Sequence, residues 1–461
     1  STSGRVIAVT DPATGDWIGQ IPALTAAESL EAITAAERAF PAWVALLPQQ
    51  RSALLRRWHD GVVAHREDLA VLMTLEQGKP ISEARGEIDY AASFIEFYAE
   101  EAKRTNIESV TPHLAGAGMS VRRQPMGVAA LVTPWNFPSA MITRKAAAAL
   151  AAGCTTIVHP SRFTPFSALA LAELAERAGF PPGAFNVVTG EAAEVVAPMT
   201  EAPAVRVLSF TGSTEIGRLL YRQCATTIKT LILELGGHAP FLAFADADLD
   251  RAVDCAVSAK FATSGQDCLA ANRFLIERSI YEEFLARFSA KVAGLSIGHG
   301  LEDADIGPLM NEAAIGKQEE HVADALARGA RLVLGGKRHK AGPLFFQPTV
   351  LADVPSDALI FREETFGPVA AIAAFDDEAE ALARANDTEY GLVAYLHTRD
   401  HGRIARLSAG LQYGMVAVNR TKITGAPIPF GGIKQSGLGR EGSRLGMEAF
   451  MDVKYICRDV A

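Results

Sequence analysis

The sequence lacks the marks of several large protein classes. Its five cysteines (Cys154, Cys224, Cys255, Cys268 and Cys457) are odd in number and widely spaced, and no CxxC occurs. A disulfide framework or a thiolate metal site needs clustered or paired spacing. Neither a disulfide scaffold nor a metal is therefore expected. The pattern points to a reducing, cytoplasmic setting with mostly buried thiols, and it leaves room for one reactive cysteine. The first ten residues are polar without an apolar core, so no signal peptide is expected there. No apolar run reaches the roughly 18–20 residues that cross a membrane. The most apolar stretch, 145–154, is short, Ala-rich and flanked by turn residues.

Positive charge is also scarce. Lys and Arg number 44 against 53 Asp and Glu, a formal net charge of −9 at pH 7. Such a balance exerts no long-range pull on nucleic-acid backbones or anionic lipid. Neither nucleic acid nor membrane is an expected partner, although a local basic pocket remains allowed. What is present is ordinary globular composition: 461 residues, 49% hydrophobic and 21% charged. That length suits two or three domains.

The first third reads as helical. Thr25 and Glu28 have capping-box spacing and open an amphipathic stretch through residue 40. A second helical pattern covers 49–76. Residues 106–124 are loop-like and β-leaning, which fits an arm pairing outside its own domain or a surface hairpin. From Gly127 the pattern becomes strand–helix alternation. Strands are expected at 128–132, 155–158, 185–188, 205–210 and 230–233, with Pro138 near the start of a helix that Gly153 ends. A second alternation follows: strand 240–244, helix 249–261, strand 273–277, helix 280–294, and further units to about 418. Short apolar strands separated by helices imply a parallel sheet covered on both faces. The expected class is α/β, with a Rossmann-like doubly wound domain whose ligands bind at the carboxyl ends of the strands. The two α/β blocks meet at 234–238, where a cleft is expected.

The fingerprint GxGxxG is absent. Its weak substitute is Phe210-Thr211-Gly212-Ser213-Thr214, where Gly212 permits a tight turn and Ser213 caps a helix whose first amides suit a pyrophosphate. Three other clusters carry chemistry. Asn136 lies in a turn between Pro134 and Pro138. Glu234 ends an apolar strand, where burial raises a carboxyl toward base function. Cys268 follows Gly265-Gln266-Asp267 in a turn after a helix. Read singly, these are a structural turn, a solvated strand end and a buried thiol. Read together, they are an oxyanion donor, a base and a nucleophile.

Over essentially its whole length the chain resembles the NAD(P)-dependent aldehyde dehydrogenase superfamily. The resemblance runs through Pro134-Trp135-Asn136-Phe137-Pro138, Phe210-Thr211-Gly212-Ser213, Leu233-Glu234-Leu235-Gly236-Gly237, Gly265-Gln266-Asp267-Cys268, Glu364-Thr365-Phe366-Gly367-Pro368 and Pro429-Phe430-Gly431-Gly432-Ile433-Lys434-Gln435-Ser436-Gly437. Within the superfamily it is most similar to succinate-semialdehyde dehydrogenases, through Ile142-Thr143-Arg144-Lys145, the run from Ser213 to Arg218 and the run from Gly437 to Ser443. The resemblance implies oxidation of a small aldehyde to the acid with NAD or NADP. Cys268 attacks the aldehyde, Asn136 and the Cys268 N–H hold the oxyanion, and Glu234 activates water. Lys145 and Trp135 line the cofactor channel, Glu364 and Phe366 hold the nicotinamide ribose and ring, and Thr133, His159, Ser161, Arg162, Gly212, Ser213 and Leu235 complete the cofactor site. Arg144 faces the substrate; beyond the resemblance, Arg420 and Thr424 of the mouth loop are the further candidate substrate contacts. It further implies a cofactor domain (1–103 and 126–235), a catalytic domain (236–448) and a β arm (104–125 and 449–461) that pairs subunits into homodimers or homotetramers.

Four positions depart from the family pattern. His159-Pro160-Ser161-Arg162 replaces Lys-Pro-(Ala/Ser)-Glu, which removes a carboxylate that repels a 2′-phosphate and adds a cation that pairs with one. NADP is therefore expected to be tolerated or preferred. Asp267 precedes the nucleophile, and a carboxylate there disfavours the thiolate. Ala262 stands where succinate-semialdehyde enzymes place a second arginine for the distal carboxylate. The mouth loop carries Arg420 and Lys422, which either replace that charge or lie on the surface. His238, where Asn is common, is given no role. Ala262 also suits a larger or uncharged aldehyde, such as an aromatic one. Two further readings stay open: a non-oxidising binding protein on the same fold, and a cofactor-free cysteine esterase using Cys268 and Glu234.

Overall fold

The computed structural model describes residues 4–105 and 107–460. The residues outside it include Asn106 of the expected arm and part of the polar first ten. A hairpin of β1 (Val6–Thr10) and β2 (Trp17–Pro22) opens the chain. Helices follow at Ala26–Ala45, Pro48–Ala64, Arg66–Gln77 and Ile81–Glu101. Next come β3 (Glu108–Ser109) and β4 (Ala117–Pro125), then β5 (Val128–Val132), β6 (Thr155–His159), β7 (Phe185–Val187), β8 (Val205–Thr211) and β9 (Thr230–Glu234). The second half holds β10 (Ala239–Ala243), β11 (Ala271–Glu277), β12 (Arg331–Leu334), β13 (Thr349–Ala352), β14 (Val369–Phe375), β15 (Val393–His397) and β16 (Met415–Val418). The chain closes on β17 (Gly437–Leu438) and β18 (Met451–Asp459).

The expected α/β class is borne out. Strands β5 to β9 form a parallel sheet in the order β9-β8-β5-β6-β7, the five-strand Rossmann arrangement. Its order reverses between β5 and β8, so the ends of those two strands flank the ligand crevice. The second sheet has seven strands in the order β12-β13-β14-β11-β10-β15-β16, parallel except for β12. The chain then returns: β17 pairs antiparallel with β9, bringing Gly437 opposite Glu234. β18 pairs with β4 along its full length, from Met451 opposite Pro125 to Asp459 opposite Ala117, and β3 flanks β4.

Local sequence explains most boundaries. The Thr25–Glu28 capping box forms in both directions. That first helix runs past residue 40 and through Pro41, because Trp43 beyond it is buried and stacks on Phe180, ring centres 5.5 Å apart. The expected helix over 49–76 divides at His65, whose backbone leaves the helical region (φ −106°, ψ 22°). The helix Ala140–Ala152 is buried at every position, and Gly153 ends it in the left-handed conformation (φ 105°). Its alanines let it pass closely between a sheet and the helix Ile81–Glu101. The most apolar stretch of the chain is thus a central helix. Among the described residues no helix is long and apolar enough to cross a membrane.

The helix Pro165–Arg177 has no cap from its own N-cap residue. Glu76 supplies one from another helix, accepting the N–H groups of Phe166 (2.8 Å) and Ser167 (2.9 Å) and the Ser167 hydroxyl (2.5 Å). Burial pushes this carboxyl up to about 7. Folding therefore favours its protonated form, and its contribution to stability falls as pH rises from the ordinary carboxyl range through about 7. Glu76→Ala is expected to remove about 1–2 kcal/mol through the lost cap. The measurement is a lowered midpoint in thermal unfolding.

Candidate active site

The turns after β5, β8 and β9 converge on one cavity of about 260 Å³, lined in part by Trp135, Asn136, Gly212, Ser213, Leu235 and Cys268. Ser213 caps the helix Thr214–Cys224 by accepting the Ile216 N–H at 3.4 Å. Glu364 and Phe366 reach the same cavity from the second α/β block. Phe366 meets Trp135 edge to face, ring centres 5.5 Å apart, and Glu364 accepts the Gly237 N–H at 2.8 Å. A site at a Rossmann switch point with a capped helix N-terminus and facing aromatic rings fits a nicotinamide dinucleotide.

Cys268 also borders a second, larger cavity of about 770 Å³. Arg144, Ala262, Lys422, Thr424, Tyr90 and Phe430 contribute to that wall. The thiol therefore stands where two cavities meet. Its loop is strained: Thr263, Ser264 and Gly265 take successive positive φ values of 51°, 56° and 74°. Non-glycine residues in that region cost about 1–3 kcal/mol each and persist only when surrounding bonds hold them. Here Ser264 bonds both the N–H and the carbonyl of Gly307, and Gln266 accepts the Met310 N–H at 2.9 Å. The Asn136 amide donates to the Gln266 carbonyl at 3.0 Å, which ties the turn after β5 to the nucleophile loop. Its second amide hydrogen remains available to an oxyanion. Gly237 must be glycine, because a Cβ there would lie 2.1 Å from the Cys268 carbonyl oxygen.

Charge around the thiol is uneven. Burial, then Asp267, then Glu364 push the Cys268 thiol well above its ordinary value. Glu234 is buried, and among the described residues neither of its carboxyl oxygens accepts a hydrogen bond. Burial first and Glu441 second hold it well above the carboxyl range, with Arg144 and Lys145 pulling the other way. A buried carboxyl held above its ordinary range is a stronger base, once ionised, than an exposed one. Burial likewise pushes Glu364 up to about 7.

Several expected residues sit elsewhere than the cofactor cavity. Lys145 is buried in an ion cluster: it donates to Glu441, whose other oxygen accepts from Arg144 at 2.6 Å, while Ser209 adds a bond at 3.1 Å. Arg144 also lies over the face of Phe430, 4.1 Å from the ring centre. Thr133, His159, Ser161 and Arg162 stand outside the wall of the 260 Å³ cavity. His159 is buried with Nδ1–H donating to the Val188 carbonyl at 2.9 Å. Arg162 is half exposed and paired with Glu191 at 3.0 Å. Arg420 is exposed and does not border the larger cavity, whereas Lys422 does. Sequence reasoning missed Glu441, Glu191 and the N-terminal polar residues Lys79, Glu83 and Glu87. The spacing of four between these last three was the available signal.

A thiol between a dinucleotide crevice and a second, larger cavity, with an amide donor on the same wall and a buried carboxyl whose charge acts on it, defines an oxidoreductase working through a covalent thiol adduct. The Aldehyde dehydrogenase family model matches residues 1–456, and the chain belongs to that family. It is 54% identical over 458 residues to a succinate-semialdehyde dehydrogenase (NADP+) of Escherichia coli, covering 99% of this chain and 95% of that one. It is 53% identical over 456 residues to a glutarate-semialdehyde dehydrogenase of Pseudomonas aeruginosa, covering 99% and 94%. A crystal structure of an E. coli NADP-dependent enzyme superposes with a TM-score of 0.98 at 54% identity, covering 99% of this chain and 95% of that one.

Removing the Asp267 carboxylate removes the largest charge effect on the thiol after burial, so the thiol pKa should fall. In Asp267→Thr, iodoacetamide should alkylate Cys268 faster at neutral pH, and the rate–pH curve should move to lower pH. An unchanged curve would refute this effect of Asp267.

Proposed function

We propose that this protein oxidises a short aldehyde bearing a distal anionic group, a semialdehyde, to the corresponding diacid with NAD or NADP. The observation that carries this reading is Cys268 at the meeting of the two cavities, with cations on the substrate side. Arg144 already shares its charge with Glu441. Lys422 has no ion-pair partner among the described residues, and it is the free cation on that wall. The naming of two relatives for succinate and glutarate semialdehyde supports the same substrate class.

The chemistry follows from the chain's own groups. Cys268 gives its proton to solvent water, and its sulfur bonds to the aldehyde carbon as the carbonyl π electrons pass to the oxygen. Asn136 Nδ2–H and the Cys268 N–H receive the negative oxygen, where preorganised donors count most. Trp135, Gly212, Ser213, Leu235, Glu364 and Phe366 would hold the dinucleotide. When bound, its nicotinamide supplies the hydride acceptor that turns the adduct into a thioester. Glu234, ionised by then, takes a proton from water, whose oxygen attacks the thioester carbon and releases the acid and the thiol. Because thiol and carboxyl are both held above their ordinary values, turnover should rise with pH through neutrality.

Other parts of the reading concern assembly. The sheets support a cofactor unit (1–103 and 126–235), a catalytic unit (236–448) and an arm (104–125 and 449–461), with β17 returning to the cofactor sheet. Val453 and Tyr455 on the arm are exposed, which suits subunit pairing in a homodimer or homotetramer. Five free thiols suit a cytoplasmic setting. Arg162 at the end of β6 suits a 2′-phosphate, although Glu191 competes for it.

The test is reduced-nicotinamide absorbance with succinate semialdehyde, glutarate semialdehyde, benzaldehyde and a medium-chain aldehyde, each with NAD and NADP. The semialdehydes should give the highest kcat/KM, and NADP should support turnover. Lys422→Ala should raise KM for the semialdehydes by about tenfold or more, the size of one charge-assisted contact, and leave benzaldehyde unaffected. A preference for benzaldehyde would instead favour the larger-aldehyde reading, which Ala262 and the width of the cavity also accommodate.

A further inference from the structure

Lys79, Glu83 and Glu87 are spaced four apart, around the start and along one face of the helix Ile81–Glu101. Such a polar stripe reads as a solvated face, yet Lys79 and Glu87 are buried. Lys79 Nζ donates to Glu87 at 2.5 Å and to the backbone carbonyl of Asn136 at 2.8 Å, and it sits 4.1 Å from the centre of the Phe137 ring. The other Glu87 oxygen accepts the N–H groups of Ser139 (2.9 Å) and Ala140 (3.1 Å), where the helix carrying Arg144 and Lys145 begins. Glu83 reaches the opposite element. It accepts the Thr263 N–H at 2.9 Å and the Thr263 hydroxyl at 3.0 Å, at the first of the left-handed residues before Cys268.

One rigid helix end therefore grips both halves of the oxyanion site. The turn bearing Asn136 is held by Lys79 and Glu87, and the loop bearing Cys268 by Glu83. We propose that Lys79, Glu83 and Glu87 are positioning residues for the oxyanion site, setting the separation of the Asn136 amide from the Cys268 N–H. The proposal rests on the roles given above to Cys268 and Asn136. None of the three needs to touch the reacting atoms. Their role is to hold a strained loop and a proline-flanked turn in register, where small displacements cost large factors in rate.

The test uses three readouts on the full-length protein: oxidation of the preferred semialdehyde, cofactor-free hydrolysis of p-nitrophenyl acetate, and alkylation of Cys268 by iodoacetamide. The first two need an oxyanion site and the third does not. The double variant Lys79→Met, Glu87→Gln avoids leaving a lone buried charge. It should lower kcat for oxidation and for ester hydrolysis by about tenfold to a hundredfold, with KM and alkylation unchanged. In an Asn136→Ala background the same pair should add nothing, because both changes remove one interaction. Glu83→Gln, nearly isosteric, should lower both kcat values and also change the alkylation rate, and it carries the test alone where the Lys79 variant does not fold. Wild-type kcat in either variant overturns the proposal. So does full additivity with Asn136→Ala, or an equal fall in all three readouts with a lowered melting temperature. Wild-type kcat in Asn136→Ala alone overturns the reading of the site itself, and the proposal with it.

Discussion

The structure turns on one buried carboxylate. Arg144 and Lys145 are adjacent cations on a helix with no exposed residue, and such a pair is tolerated only when matched by charge and hydrogen bonds. Glu441 does this from 296 residues away, taking Lys145 on one oxygen and Arg144 on the other. Burial pushes Glu441 up, but Lys145 and Arg144 outweigh that and hold it below its ordinary value. The anchorage draws in the whole C-terminal return. Phe430 exchanges backbone hydrogen bonds with Glu441 and lies under Arg144, and β17 pairs with the strand that ends in Glu234.

The same clamp acts on Glu234, where burial is the larger cause of the raised pKa and Glu441 the second. Glu234 shares its pocket with an ionised carboxylate and has no hydrogen-bond donor of its own among the described residues. Burial and that neighbour both favour its protonated form. The thiol is restrained in parallel by burial and by Asp267. Burial and neighbouring carboxylates thus disfavour the charged form of both groups.

Placed cations matter more here because the net charge of −9 repels anions at long range. The cations near the two clefts differ in how free they are. Arg144 is committed to Glu441, Arg162 shares with Glu191, and among the described residues Lys422 has no ion-pair partner at the wall of the larger cavity. The family alone leaves the choice of aldehyde open.

Much of the fold was legible by eye. Residues 128–132 and 249–261 match their strand and helix in full, because an unbroken apolar run and a 3.6-residue period are local signals. The N-terminal hairpin was not legible, since its burial depends on partners elsewhere in the chain. Cys268, Asn136 and Gly212 stood out in the sequence as turn residues beside α/β elements, and the fold brings these three to the wall of one cavity. The sequence by itself thus determined the sheet pattern and which turns hold the candidate site residues. Only the tertiary structure decided which charges are free. Lys145 and Arg144 read as site cations until Glu441 is folded against them, and Lys79, Glu83 and Glu87 read as a wet helix face until two catalytic loops close over it. Ion pairing and burial join residues far apart in the chain, and no local pattern encodes them.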